Sequence, residues 1–156
     1  MQGQYREFCA SVAADTNGRF HGAPTKAIFR TVEKSAARPD KSRRFVTDSV
    51  VDLVRGALEY NNFAGLLRGL RALFESPLLF EVVRMKNRFA SPTDAGWRDV
   101  VINGRLRKDR RIRHIVEIQL HYAPLVAVRE QLGGHVIYAK QRALAEALEI
   151  VGIAAE

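Results

Sequence analysis

The sequence predicts an α+β domain built on a mixed sheet of about four to five strands flanked by helices. Segments with helical periodicity and segments with strand periodicity alternate along the chain. Two of the strands, 97–106 and 113–122, are joined by a basic turn that is too short for a parallel crossover, so the sheet must contain antiparallel pairs. With 156 residues the chain has the length of one domain covering 1–156, and its 47% hydrophobic content can supply a buried core.

The net charge of +8, from 25 Lys and Arg against 17 Asp and Glu, favours polyanionic partners such as nucleotides, RNA, DNA or an anionic membrane. Simple solubility is the alternative explanation. The single cysteine, Cys9, excludes an internal disulfide and fits a reducing compartment. The sequence has no apolar run of about 18 residues and no apolar signal core, so we expect a soluble, cytoplasmic protein with no membrane partner.

The first part of the chain is predicted to be helical. Residues 1–17 place apolar side chains at helical spacing, and Asn17-Gly18 favours the left-handed conformation that ends helices. Residues 18–24 are expected to form a turn. Pro24 then suits the first turn of a second helix, 25–37.

The remaining elements follow from periodicity and from turn-forming residues. The expected order is a buried strand at 52–60, a turn or N-cap at Asn61-Asn62, an amphipathic helix at 63–76, a strand at 80–89, a loop at 90–96, the hairpin described above, and helices at 124–132 and 135–150. No internal repeat or low-complexity segment is present.

The two hairpin strands give the sheet one apolar and one polar side, because successive side chains of a strand alternate between faces. The apolar side carries Val100, Ile102, Val116, Ile118 and Leu120. The polar side carries Trp97, Asp99, Asn103, Arg105, Glu117, Gln119 and His121. An ordinary solvated sheet face would carry scattered Thr, Lys and Glu, whereas this side concentrates an aromatic ring, carboxylates, amides and cations. It is therefore a candidate site.

Two groups of cations can serve a phosphate ligand. Lys26, Arg30 and Lys34 lie along one stripe of the second predicted helix, and Arg84, Lys86 and Arg88 lie on one face of the strand at 80–89. Each group can equally be an ordinary solvated face. Common motifs of nucleotide-binding loops, metalloproteases and serine hydrolases are absent, and the four histidines lack metal-ligand spacing. Cys9 is expected to be packed or at the surface rather than nucleophilic.

What remains is a site for a hard cation and phosphates. Carboxylates on neighbouring strands, Asp52 and Glu117, can hold Mg²⁺, which prefers oxygen ligands and retains substrate phosphates as further partners. Trp97 can stack on a base, although a tryptophan is more often a core residue.

Four blocks of the sequence, in order over roughly residues 24–140, resemble the RelA/SpoT-type alarmone synthetases. Glu117-Ile118-Gln119-Leu120-His121, with Glu130, Gly133-Gly134-His135 and Tyr138, resembles the family motif EIQIRT and its continuation. The run 87–98, which includes Pro92, Gly96 and Trp97, is similar to the PK.NGY.S loop. Asp52-Leu53-Val54 resembles the start of the second motif, and Lys26 and Lys34 share the spacing of two ATP-binding lysines.

The resemblance implies a nucleotidyltransferase-like synthetase fold and transfer of pyrophosphate from ATP to a ribose 3′-hydroxyl of a nucleotide or RNA, with AMP as product. It implies that Asp52 and Glu117 bind Mg²⁺, with Glu117 near the attacking hydroxyl, and that Trp97 stacks on the acceptor base. The other implied or candidate nucleotide- and phosphate-binding residues are Lys26, Arg30, Lys34, Arg84, Lys86, Arg88, Arg98, Gln119 and His121. The resemblance also implies a homo-oligomer, although no residue pattern marks an interface.

Several departures from the family pattern leave alternatives open. Pro24, Thr93 and Val101 stand where the family has arginine, lysine and histidine, and His121 replaces an arginine. Both carboxylates are retained, whereas residues that grip ATP and the acceptor are lost. A catalytically degenerate nucleotide- or RNA-binding module of the same fold is therefore the alternative, and a basic DNA-binding protein is a third. The chain is either a stand-alone synthetase core or a fragment of a longer protein.

Overall fold

The structure is a computed structural model that describes residues 1–27, 29, 31–32, 51–107 and 114–133. Three helices have defined bounds: α1 Gln2–Thr16, α2 Phe63–Phe74 and α3 Ala123–Gln131. Five strands make one sheet: β1 Arg19–Gly22, β2 Arg55–Tyr60, β3 Phe80–Asn87, β4 Val100–Leu106 and β5 Val116–Tyr122. Within the described ranges, no helix has the length and apolar character needed to cross a bilayer.

The sheet is mixed, with strand order β1-β2-β5-β4-β3. The central strand, β5, runs parallel to its neighbour β2, and every other neighbouring pair is antiparallel. The predicted α+β class, with five strands flanked by helices, is therefore confirmed. This parallel pair aligns Arg55 on β2 with Glu117 on β5.

Helices α1 and α2 cover the apolar face of the sheet. Tyr5, Cys9 and Val12 of α1 and Leu66 and Leu73 of α2 belong to one core cluster with the apolar side chains of the strands. The strand residues of this cluster include Leu58, Val100, Ile102, Val116, Ile118 and Leu120. Helix α1 is fixed further by the stacked rings of Phe8 and Phe80, whose centroids are 5.2 Å apart. Of the two environments expected for a non-nucleophilic Cys9, packed or at the surface, the structure shows the packed one, since its side chain is fully buried.

Local sequence determines where the first two helices begin and end. Asn17 follows α1 with φ of 56°, the left-handed conformation that asparagine tolerates, and Gly18 N donates to the carbonyl of Ala13 at 2.8 Å. Asn62 begins α2 because its side chain accepts a hydrogen bond from Gly65 N at 2.7 Å. Both boundaries agree with the sequence interpretation.

The structure corrects four boundaries. Residues 19–22, predicted as part of a turn, form β1, because Arg19–Gly22 pairs with the outer edge of β2. Strand β2 begins at Arg55, so Asp52 lies in the preceding turn. The hairpin strands begin at Val100 and Val116, each three residues later than expected. Of the helix predicted at 25–37, residues 25–27 are not helical, whereas 29, 31 and 32 are. The rest of that helix, the helix at 135–150 and most of the basic turn at 107–113 lie outside the described residues.

Candidate functional site

The sheet surface opposite α1 and α2, here called the polar face, gathers most of the predicted site residues in cross-strand rows. The register places on this face Arg19, His21, Arg55, Glu59, Arg84, Lys86, Arg88, Asp99, Asn103, Glu117, Gln119 and His121. Directly opposed residues of neighbouring strands put their side chains on the same side of the sheet. The alternation read from the sequence therefore identified this face correctly.

Glu117 occupies the middle of the central row. Arg55 of β2 lies on one side of it and Asn103 of β4 on the other, and Arg84 of β3 continues the row. The Oε1 atom of Glu117 accepts a hydrogen bond from Gln119 Nε2 at 2.8 Å. Arg84 donates to Asn103 Oδ1 from Nε at 3.0 Å and from Nη2 at 2.7 Å. A half-buried carboxylate is thus surrounded by amides and guanidinium groups.

The backbone beneath Glu117 is held from the core side. Its amide donates to the carbonyl of Val54 at 3.0 Å, and its carbonyl accepts from the Tyr5 hydroxyl at 2.7 Å. Tyr5 belongs to α1, so the first helix is tied to the strand residue that carries the carboxylate. Burial raises the pKa of Tyr5, and the hydroxyl therefore stays protonated and keeps donating.

Asp52 lies in the turn that leads into β2, close to the Glu117 row. The residue is 5% exposed, and its Oδ2 forms an ion pair with Lys26 Nζ. Arg55 Nη1 lies 3.9 Å from the same oxygen. A backbone hydrogen bond from the amide of Lys26 to the carbonyl of Leu53 holds the Lys26 backbone beside the turn that carries Asp52. The structure thus joins Asp52 and Lys26, two residues predicted for different roles.

A second row, centred on Asp99, contains His121 and Arg88. Asp99 is 1% exposed, and its carboxylate lies 3.1 Å from Arg88 Nη1 and 3.7 Å from His121 Nε2. The indole Nε1 of Trp97 donates to the same carboxylate at 2.9 Å. Burial lowers the pKa of His121, and Asp99 acts in the opposite direction. These contacts hold the side chains of Asp99, Arg88, Trp97 and His121 in place at one end of the polar face.

Trp97 is covered by a residue from a distant part of the chain. The guanidinium carbon of Arg129, on α3, lies 3.9 Å from the centroid of the Trp97 ring, and His121 meets the indole edge-on with centroids 5.6 Å apart. Arg129 therefore forms a cation–π contact with one ring face. The predicted stacking of Trp97 on a base stays a prediction, and it must use the opposite ring face.

Two open depressions border the polar face. One of about 380 Å³ is lined by Lys86, Asn87, Arg88, Ser91, Pro92 and Thr93. The other, of about 590 Å³, lies between the first strands and α3 and is lined by Arg19, His21, Glu59, Asn61 and residues of α3 that include Pro124 and Glu130. The first has the positive charge and hydroxyl groups that suit phosphates. The second combines an apolar wall with charged groups.

The predicted site residues are only partly assembled. Asp52, Lys26, Arg84, Lys86, Arg88, Gln119, Glu117, Trp97 and His121 lie on or beside the polar face. Arg98 is exposed and donates to the carbonyl of Phe89. Arg30 and Lys34 lie outside the described residues. The alternation of β4 placed Asp99 and Asn103 on this side without giving them a binding role. Arg19, Glu59 and Arg129 were not among the predicted site residues, and no sequence pattern indicated Arg129.

The donor set is compatible with a magnesium ion. Among the described residues no group of three or more His, Cys, Asp and Glu side chains could hold a metal. Mg²⁺, however, commonly uses one or two carboxylates together with substrate phosphates. Asp52 already holds a cation, the ammonium of Lys26, in a nearly buried position. Asp52 and Glu117 supply the type of oxygen donor that Mg²⁺ prefers, but Lys26 would have to leave Asp52 before the ion could bind there.

Comparison with known proteins identifies the fold. No protein-family model matches the sequence, and no curated protein matches it. Among solved structures, a GTP pyrophosphokinase family protein from Streptococcus pneumoniae aligns over 96% of this chain and 79% of its own, with a TM-score of 0.71 at 12% identity. Small alarmone synthetase 1 from Bacillus subtilis, bound to its product pppGpp, aligns over 85% of this chain and 72% of its own, with a TM-score of 0.57 at 14% identity.

A third similar structure is the type VI effector Tas1 in complex with its immunity protein. It aligns over 78% of this chain at 18% identity and a TM-score of 0.55, and this chain spans 55% of the effector chain. At such identities the likeness establishes the fold alone. The chain has the RelA/SpoT-type synthetase fold, which it shares with these small alarmone synthetase and GTP pyrophosphokinase family structures.

Proposed function

We propose that the protein transfers the pyrophosphoryl group of ATP to the ribose 3′-hydroxyl of a nucleotide or an RNA. The observation that carries the proposal is the position of Glu117, in the middle of the polar face of this fold and flanked in its row by Arg55 and Asn103. In the reaction the 3′-oxygen attacks the β-phosphorus of ATP. The bond from that phosphorus to the α,β-bridging oxygen breaks, AMP leaves, and the hydroxyl proton passes to the Glu117 carboxylate.

The residues of the polar face supply the charge that this reaction needs. Phosphoryl-type transfer depends mainly on positioning and on cations that stabilise the moving phosphates. Arg55 and Lys26 lie at the Asp52 end of the face, and Lys86 and Arg88 line the depression at the other end. Asp52 and Glu117 would hold Mg²⁺, which would neutralise the phosphates of ATP. Lys26 would then exchange its Asp52 partner for a phosphate oxygen.

The alternative is a nucleotide- or RNA-binding module that retains the fold without catalysis. The contact between Lys26 and Asp52 favours it, because one candidate metal ligand is already neutralised by a lysine. Val101 also favours it, since this apolar residue is 2% exposed on the row of Gln119, where the resemblance implies a histidine. This function predicts ligand binding that persists when Mg²⁺ is removed.

AMP release from ATP separates the two functions. ATP and Mg²⁺ are offered with GDP, GTP, ADP, AMP or deacylated tRNA in parallel, and AMP is quantified with and without EDTA. Release with one acceptor that stops in EDTA supports transfer and identifies the acceptor. Binding of the same nucleotides that is insensitive to EDTA, with no AMP released from ATP in the presence of any acceptor, supports the binding module and contradicts the proposed reaction.

A further inference from the structure

Asn103 carries an unsatisfied hydrogen-bond donor next to the carboxylate of the proposed reaction. The residue is 1% exposed, and its Nδ2 atom is buried with no hydrogen-bond partner among the described residues. Leaving a buried donor unpaired costs about 1–3 kcal/mol, and folded proteins retain few such groups. An apolar residue of similar size would avoid this cost in the middle of a sheet. The amide therefore calls for a functional explanation.

Arg84 determines which way the Asn103 amide faces. Its guanidinium donates two hydrogen bonds to one atom of the amide, at 3.0 and 2.7 Å. Because a guanidinium has donors only, that atom must be the oxygen, and the NH₂ group must be turned away from Arg84. Asn103 lies between Arg84 on β3 and Glu117 on β5 in one cross-strand row. The unsatisfied donor is therefore on the side of Glu117.

Glu117 is within reach of this donor. Directly opposed residues on antiparallel strands have Cβ atoms about 4.5–5.5 Å apart, a gap that a glutamate side chain spans by rotation. In the structure Glu117 is turned along its own strand, and its Oε1 accepts from Gln119 at 2.8 Å. A carboxylate has two oxygens and about four acceptor sites, so it can accept from Gln119 and Asn103 together.

We propose that Asn103 is a positioning residue that donates a hydrogen bond from Nδ2 to one oxygen of the Glu117 carboxylate. Gln119 donates to the other oxygen, and the two bonds together orient the plane of the carboxylate towards the acceptor hydroxyl. Arg84 keeps the amide in the required orientation. Two donors on two oxygens restrict the carboxylate to one geometry, and catalytic groups depend on such restriction. The catalytic consequence rests on the proposed function, whereas the proposed hydrogen bond needs no substrate and can be tested on the protein alone.

Asn103→Asp separates this function from a purely structural one. The substitution conserves shape and retains an acceptor for Arg84, with a charge that strengthens that contact, but it removes the donor. If Asn103 serves only to hold Arg84, kcat is unchanged. If it positions Glu117, kcat falls about 10–100-fold, the usual effect of losing a residue that orients a ligating or catalytic group, and KM for ATP stays within about twofold. Asn103→Leu, which adds no charge, should lower kcat similarly without lowering the urea midpoint.

A measurement without substrate tests the hydrogen bond directly. The side-chain NH₂ signals of Asn103 in a ¹H–¹⁵N spectrum are identified by their loss in Asn103→Asp, and their shift is compared in wild type, Glu117→Ala and the distant control Glu75→Gln. Movement in Glu117→Ala alone supports the proposal; no movement overturns it. If the signals move but wild type releases no AMP, the proposed reaction fails and the positioning contact stands. If AMP is released at the wild-type rate by Asn103→Asp, the positioning inference is overturned and the reaction stands.

Discussion

Replacing Gly69 by alanine should destabilise the protein, although the same change usually stabilises a helix. Gly69 lies within α2, and a Cβ atom added there would be 2.0 Å from Tyr60 Oη and 2.5 Å from Tyr60 Cζ. The tyrosine is 1% exposed and its hydroxyl lies 2.9 Å from Thr16 Oγ1. Since the Thr16 hydroxyl already donates to the carbonyl of Val12, the Tyr60 hydroxyl is the donor in this pair.

The expected magnitude follows from opposing terms. Alanine gains about 1 kcal/mol over glycine in a helix interior. Forcing a methyl group into a packed core costs about 1–3 kcal/mol, and displacing the tyrosine also weakens its hydrogen bond by about 1 kcal/mol. The Tyr60 ring cannot readily shift away from the new methyl group, because it also packs against Gly18, where an added Cβ would be 2.5 Å from Tyr60 Cε1. We expect a net loss of about 2 kcal/mol.

Urea unfolding followed by circular dichroism measures this loss. Gly3→Ala is the matched control, because Gly3 is also in a helix and an added Cβ would meet nothing within 4 Å. We expect Gly3→Ala to be neutral or stabilising by about 0.5 kcal/mol. Tyr60→Phe removes the atom at 2.0 Å, so combining it with Gly69→Ala should cost about 1 kcal/mol less than the sum of the single changes. A Gly69→Ala protein as stable as wild type would refute the packing argument.

Three further predictions concern single side chains. Asn62→Ala removes the acceptor for Gly65 N and should lower the free energy of unfolding by about 0.5–2 kcal/mol in the same urea assay, unlike Asn62→Asp. Burial raises the pKa of the Cys9 thiol to about 12, so a disulfide reagent at pH 8 should modify it only after urea unfolds the chain; rapid modification of folded protein would contradict the packing of α1. Burial lowers the pKa of His121 in the folded protein, so as the pH falls the imidazole is protonated in the unfolded state before it is protonated in the folded state. The stability that neutral His121 contributes is therefore complete above about pH 6.5, the ordinary pKa of histidine, and is lost as the pH falls below that value. The urea midpoint should therefore drop less between pH 7.5 and 5.5 in His121→Gln than in wild type.

The alternation of polar and apolar residues was enough to predict the central sheet. Leu58, Ile118 and Leu120 are fully buried, and Glu117 and Gln119 lie on the other face, as the period of two requires. The cations of β3 also lie on one face, even though the register shifts between Val82 and Arg84, because that irregularity precedes all of them. The alternation within one strand involves only residues that are close in the sequence, so it can be recognised without knowing the fold.

The features that were missed depend on contacts between distant segments. Arg19–Gly22, which follows a helix-ending Gly18, reads as a turn and becomes a strand only through its pairing with β2. Asp99 is buried because Arg88, Trp97 and His121 satisfy it, and no spacing rule anticipates that combination. The contact of Arg129 with Trp97 depends on where α3 lies against the sheet. Asp52 was placed at the start of a strand and lies in the turn before it, which is an ordinary error of element boundaries.

AMP release by Glu117→Gln, compared with Glu75→Gln, tests the central claim most directly. Both variants change one carboxylate to an amide, but Glu117 lies in the middle of the polar face and Glu75 is exposed at the end of α2. We predict that wild type and Glu75→Gln release AMP at the same rate with one acceptor, and that Glu117→Gln is slower by at least about 100-fold with an unchanged urea midpoint. Equal AMP release by all three proteins would contradict the assignment of the reaction to this face.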